Sequence, residues 1–432
     1  MTRQRTSTSC LPGLRADAEA PPWVAAWCAA QQAVEPENRL PDAYTRAATL
    51  RQCVRTAWGG RRWRLRLSNR YGDAPLVVAA AAVAPACAFG TSRIDPARSV
   101  ELRFGGRREV HLPAGSEGCS DEFVIDAGGP ADLAITLVVH QLPPTQTGHP
   151  GSRTTSFVQA GDHLHEASLT GAVEIEHWYL IADLEAVAEE PVSLWVAVGD
   201  SITDGRGSTT NGNDRWTDRL RERWAREGLL ASTPRPVVVQ AALGGNRLLH
   251  DRVGPSLSSR FSHDVLGRAG VRVALVHIGI NDLGTRREHW DDGDEGRQAF
   301  VRAMVQGWQA LADAAHARSV TVIGATLTPF VGHAGYRPGA IDEALRQELN
   351  AWIRGTPAYD AVADFDAALR DPAAPDRVRE GLHCGDALHP SPAGLQALAE
   401  AVPLPAVVER QAGGREGAAR NAAAIASRIG LA

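Results

Sequence analysis

Two textures divide the chain. In the first half, short apolar runs alternate with charged residues. Trp63-Arg64-Leu65-Arg66-Leu67 switches face at every step, and Leu133, Ile135, Leu137 and Val139 repeat that period. A period of two predicts strands with one wet face. Residues 99–104, 109–112 and 178–184 read as further short strands, broken by Gly, Pro and Asp. The Ala- and Val-rich run 77–86 is also assigned to a strand, because its neighbours are all β. Many short strands with almost no helical period predict an antiparallel, jelly-roll-like β-sandwich. Two polar clusters interrupt it, 68–73 and 148–153. Turn chemistry explains both, and contact with the other half or with substrate is the alternative.

After a polar break near 185–191 the pattern becomes strand, helix, strand, helix. Strands are predicted at 194–198, 237–241, 271–278, 320–325 and 362–365. Helices are predicted at 216–226, 300–317, 341–353 and 391–402, the last with Ser391 as N-cap and Pro392 in its first turn. Strands apolar on both faces belong in a parallel sheet covered on two sides. The expected architecture is therefore α/β, a three-layer α/β/α domain with about five parallel strands, preceded by the all-β domain. The boundaries are 1–22 for a disordered N-terminal segment, 23–188 for the β-domain and 189–432 for the α/β/α domain. Residues 410–432 read as a frayed helix without assigned function.

Composition narrows the classes. The 432 residues are 44% hydrophobic and 22% charged, with a net charge of -5, a globular profile. The basic residues form no block, so no nucleic-acid partner is expected. No apolar run is long enough to span a bilayer. The N-terminus lacks the apolar core of a signal peptide, which points to a cytoplasmic protein; secretion or a periplasmic location is the alternative if the N-terminus was trimmed. The six cysteines are scattered and read as mostly reduced, buried thiols. Neither they nor His250-Asp251, His263-Asp264 and His383 have the spacing of a metal site, so neither metal nor cofactor is expected. Oligomeric state is not readable.

Four short blocks fall at strand ends or in loops: Gly199-Asp200-Ser201, Leu243-Gly244-Gly245-Asn246-Arg247, Gly279-Ile280-Asn281-Asp282 and Asp386-Ala387-Leu388-His389-Pro390. Taken singly, each is ordinary: Ser201 an N-cap, His389 a capping or surface residue, the rest turns. In a parallel sheet the carboxyl ends of all strands share one edge, so the four can converge. Together they hold what acyl transfer needs. Ser201 can attack, His389 can take and return its proton, and Asp386 can orient the imidazole. The backbone N–H groups of Ser201 and Gly245 and the side-chain amide of Asn281 can hold an oxyanion. Arg206, Trp216 and Arg247, close to the blocks in sequence, are candidates for the substrate pocket.

These blocks resemble those of the SGNH (GDSL-type) hydrolases, with Gly-Asp-Ser-Ile in place of Gly-Asp-Ser-Leu. The resemblance covers most of residues 193–403. Asp204-Gly205-Arg206-Gly207-Ser208-Thr209, Thr326-Leu327-Thr328-Pro329-Phe330 and Trp23-Val24-Ala25-Ala26-Trp27 resemble a bacterial subgroup in which a β-domain precedes the hydrolase. It implies a flavodoxin-like fold and a serine esterase with a Ser201-His389-Asp386 triad and an oxyanion hole at Ser201, Gly245 and Asn281. The expected substrates are short acyl, acetyl-like esters. The alternatives are acetylated carbohydrates, held by aromatic residues of the β-domain (the chain has eleven Trp), or lysolipids.

Overall fold

Five segments pair side by side in one direction: Val192–Gly199, Arg235–Gln240, Val271–His277, Thr321–Ala325 and Ala361–Ala363. In space the second strand lies outside the first, and the third, fourth and fifth follow on the other side. That is the flavodoxin-like order, which reverses direction between its first and third strands. These observations come from a computed structural model that describes residues 23–405. The expected disordered segment 1–22 and the expected helix 410–432 lie outside the described residues.

The helices fall on two sides of this sheet. Trp216–Arg226 packs with Pro392–Ala401, and Asp294–His316 packs with Leu257–Asp264 and Ala340–Gly355. Trp195 on the first strand meets Trp224 edge to face, ring centres 5.1 Å apart. This contact fixes one helix against the sheet. The long helix begins at Asp294 rather than Phe300, because Asp294 and Glu295 complement the positive end of a helix. Ser391 caps the last helix by accepting a hydrogen bond from Gly394 N–H, with Pro392 at the first helical position.

The preceding half is antiparallel throughout. One sheet runs Trp23–Cys28, Ile181–Val187, Arg62–Asn69, Ser116–Cys119, and a second is built around Ala48–Arg55, Asp132–Gln141 and Leu76–Pro85. The segment expected at 99–104 is reduced to Val100–Glu101. The strand expected at 178–184 breaks at Leu180, whose φ is +66°. Trp178–Tyr179 therefore joins Thr147–His149 and Gln32–Ala33 in a small separate sheet.

Two expectations need correction here. The charged face of Arg62–Asn69 is not simply wet: Arg64 and Arg66 pair with Asp183 and Glu185 on the neighbouring strand, and Asp183 also pairs with Arg268 of the α/β half. The cysteines are not mostly buried. Cys28 and Cys53 are buried, whereas Cys87 and Cys384 are exposed. Cys10 lies outside the described residues.

One hydrophobic cluster runs through both halves, from Val24 and Trp63 to Val196 and Leu398. A charged network lies beside it. Arg260, 1% exposed, donates to Asp264, to the carbonyls of Gly199 and Ala241 and to Asn246 Oδ1. Its guanidinium thus ties together the carboxyl ends of the first two parallel strands and the loop after the second. Asp264 also meets His263, which bridges to Glu117 of the β-domain. Replacing a buried guanidinium leaves its carboxylate and carbonyls unpaired, so Arg260→Ala should cost about 3–5 kcal/mol, measured by urea unfolding.

Candidate active site

Gly199 ends the first parallel strand, and the chain turns into a single helical turn, Ser201–Asp204. Asp200, not Ser201, caps this turn: its Oδ1 accepts from Ile202 N–H. Ser201 is the first helical residue, which leaves its hydroxyl free of capping duty. Burial pushes the Asp200 carboxyl up to about 7, helped by Asp282 and Asp204 and opposed by Ile202 N–H and Arg260.

The Ser201 hydroxyl donates to His389 Nε2 at 2.8 Å, and His389 Nδ1 donates to Asp386 Oδ2 at 2.6 Å. The other Asp386 oxygen accepts from the backbone N–H groups of Leu388 and His389. The loop is therefore folded around its own carboxylate, which cannot rotate away from the imidazole. Burial pushes the Asp386 carboxyl up, but the bonds from His389 and Leu388 outweigh it and hold the group well below the usual carboxylate range. Burial pulls His389 below the ordinary histidine value, Asp386 opposes this, and the charges of Arg206 and His333 reinforce it. Such an imidazole is neutral near pH 7 and able to receive a proton.

N–H groups able to hold a developing negative charge lie on three loops. Among the described residues, no hydrogen bond takes up the N–H groups of Ser201 and Gly245. Gly245 has a φ of +67°, a conformation that L side chains rarely adopt. The Asn281 amide uses one Nδ2 hydrogen on the carbonyl of Asn246 at 2.8 Å, and its second hydrogen is left over. Asp282 staples two blocks together, accepting from Leu248 N–H at 2.8 Å and Leu249 N–H at 3.0 Å. Burial pushes its carboxyl up to about 6 against the pull of those two donors.

A hydroxyl on a neutral imidazole, an oriented carboxylate and spare N–H donors on adjacent loops can carry acyl transfer from an ester. All four sequence blocks meet at this edge, at the point where the strand order reverses. The pocket candidates separate. Arg206 is exposed and close enough for its charge to act on His389 and His333. Arg247 is 3% exposed and paired with Glu288 at 2.8 Å. Trp216 is a correction: it is fully buried against Phe365, because its helix turns that face to the sheet, so it belongs to the core and not to a pocket.

The family profile described as GDSL-like lipase/acylhydrolase matches residues 197–397. These residues are a GDSL-type acylhydrolase domain. The chain thus carries a domain of that type, preceded by a β-rich region. Among curated proteins, none matches it. Similar solved structures include a lipolytic protein of the G-D-S-L family from Desulfitobacterium hafniense DCB-2, 22% identical, covering 48% of this chain and 97% of its own, TM-score 0.35. A GDSL-like lipase from Bacteroides thetaiotaomicron VPI-5482 is 15% identical over 53% of this chain and 93% of its own, TM-score 0.35. An acetylxylan esterase from Geobacillus stearothermophilus is 18% identical over 52% of this chain and 95% of its own, TM-score 0.34.

The β-domain reaches into the loops of the acylhydrolase domain through the 148–153 segment, read from sequence first as a turn. His149 is fully buried; its Nδ1 donates to the Ala30 carbonyl and its Nε2 lies 2.9 Å from Asp204 Oδ1. A side chain at Gly151 would collide with the other Asp204 oxygen, a built Cβ lying 1.8 Å from it. Arg215 donates to the Ser152 carbonyl, and Asn211 N–H to that of Arg153. Burial pushes the Asp204 carboxyl up, and the charges of His149, Arg153 and Arg215 carry it below its ordinary value. The histidines weighed as metal ligands have other work: His263 bridges two carboxylates, His250 stacks on His289, and His383 accepts from Gly385 and Ala387 N–H.

Sequence reading assigned no role to Tyr336, Arg260, Asp282 or Asp204, and the contact of 148–153 with the other half, its alternative to a turn, is what the structure shows. Asp282 was within reach, since it adjoins Asn281 in a recognised block. Arg260 and Asp264 stand four apart on a helical face, a weaker signal. Tyr336 and His149 carry no signal of spacing. His149→Ala removes the ring nitrogen 2.9 Å from a buried carboxylate that lies three residues from Ser201. Leaving that carboxylate oxygen without its partner should cost about 1–3 kcal/mol in chemical denaturation.

Proposed function

We propose that this protein is a serine esterase for short acyl, acetyl-like esters, with Ser201, His389 and Asp386 as its triad. The observation that carries the reading is the unbroken relay from Ser201 Oγ through His389 to Asp386. In the first step the Ser201 oxygen bonds to the acyl carbon and its proton passes to His389 Nε2. Asp386 stabilises the imidazolium, and the oxyanion lies against Ser201 N–H, Gly245 N–H and Asn281 Nδ2–H. His389 then protonates the leaving alcohol as the C–O bond breaks. Water repeats the sequence on the acyl-enzyme, releasing the acid and restoring Ser201.

A short acyl group and a polar alcohol suit the surroundings of His389. Arg206 is exposed beside it, and the His333 ring stands 6.4 Å from the His389 ring, centre to centre. The β-domain is read as a wall and brace for the site rather than a sugar platform. Eight of the eleven tryptophans, Trp27, Trp58, Trp63, Trp178, Trp195, Trp216, Trp224 and Trp308, are buried and unavailable for stacking on a glycan.

Ser201→Ala should abolish turnover of p-nitrophenyl acetate, by about 10⁴-fold or more, and abolish labelling by a fluorophosphonate, while the melting temperature holds. Variant activity within about tenfold of the parent overturns the triad. Because burial holds His389 below the ordinary value of 6.5, kcat/KM should rise with pH along an acid limb centred below 6.5 and be level at neutral pH. A limb centred above that value contradicts the assigned base.

A further inference from the structure

We propose that Tyr336 is a positioning residue for the oxyanion pocket: its phenol hydroxyl locks the Asn281 amide so that one Nδ2–H stays aimed at the developing charge. This rests on the esterase reading above. Tyr336 lies outside the four blocks, in the segment between the fourth parallel strand, Thr321–Ala325, and the helix Ala340–Gly355. Its hydroxyl donates to Asn281 Oδ1. From the other side the Asn246 carbonyl accepts from Asn281 Nδ2 at 2.8 Å. An amide turned over would set its oxygen against the Asn246 carbonyl, an acceptor only, so that contact selects the orientation and the phenol hydroxyl pins Oδ1 within it.

The selection matters because the outer torsion of an asparagine side chain is soft and nearly two-fold. An amide held only by Asn246 can swing, and any turn that brings Oδ1 toward the substrate replaces a donor with a repulsive acceptor. With Oδ1 held by the phenol and one hydrogen held by Asn246, only the second Nδ2 hydrogen remains to be offered. The tyrosine is itself well seated. Its ring packs over Gly284, where a built Cβ would lie 2.5 Å from the ring, and against the His333 ring at 4.8 Å. Its N–H donates to His333 Nδ1 at 3.2 Å. The same segment approaches the base, since a Cβ at Gly332 would lie 3.2 Å from that of Ala387. Burial raises the phenol to about 12, with Asp200 and Asp282 adding to the effect, so its proton stays in place to be donated.

Tyr336→Phe keeps the ring and removes only the hydroxyl. With p-nitrophenyl acetate it should lower kcat about tenfold and change KM by less than about twofold, because the lost order acts on the charged state and not on the bound ester. Affinity for a small boronic acid, which forms a tetrahedral adduct on the serine, should fall in step with kcat. On an Asn281→Ala background the same substitution should cost nothing further, and the melting temperature of each variant reports folding separately. A Tyr336→Phe enzyme as fast as the parent overturns the proposal, as does an equal loss on both backgrounds. A parent that neither hydrolyses the ester nor takes up a fluorophosphonate overturns the esterase reading instead.

Discussion

The Arg260 guanidinium is the interaction on which the site depends. It sits out of water where the two strands that end nearest Ser201 and Gly245 stop, and it satisfies the carbonyls they leave behind. It also holds Asn246, whose own carbonyl holds the Asn281 amide. Ser201, the Gly245 loop and the Asn281 amide are therefore referenced to one rigid, planar cation. A fork of five N–H donors is suited to this role, because it can serve several acceptors at fixed angles. Stripping such a group of water is costly, and the cost is offset only if every donor finds a partner. Asp264 completes the set and extends it through His263 to Glu117, so the β-domain is part of the same electrostatic unit.

The second connection between the halves works closer to the chemistry. Asp204 closes the helical turn that begins at Ser201, and its partner His149 belongs to the β-domain. The turn is too short to be stable by itself, since a single turn fixes several torsions for few hydrogen bonds. Its shape is imposed by the cap at Asp200 and by the contact of Asp204 with His149. The β-domain thus contributes to the geometry of the serine.

Much of this was legible in the chain. Strand and helix periods located the parallel sheet, because residues buried on both faces leave a continuous apolar run. The four blocks located Ser201, Gly245, Asn281, His389 and Asp386 at its edge. What was not legible depends on partners far apart in sequence. Arg64 and Arg66 alternate with apolar residues as on any wet strand, and only packing shows that their face meets Asp183, Glu185 and, through Asp183, Arg268. The 148–153 cluster has the composition of a turn, and a turn it is; nothing local says that Asp204 lies against it. Trp216 illustrates the opposite error, since closeness in sequence to a reactive block says little about which way a helical side chain points.

Only four residues separate the strand Ile181–Val187 from Val192–Gly199. On a diagram of the chain this looks like a natural place to exchange one half for that of a relative. Energetically it is no boundary. A hybrid joined there would inherit Asp183, Glu117 and His149 from one parent and Arg268, Asp264 and Asp204 from the other. Unless both ancestors had kept matching charges, each half would bury an ion with no complement. What holds the two halves to one another is the set of polar contacts between them rather than the peptide that joins them.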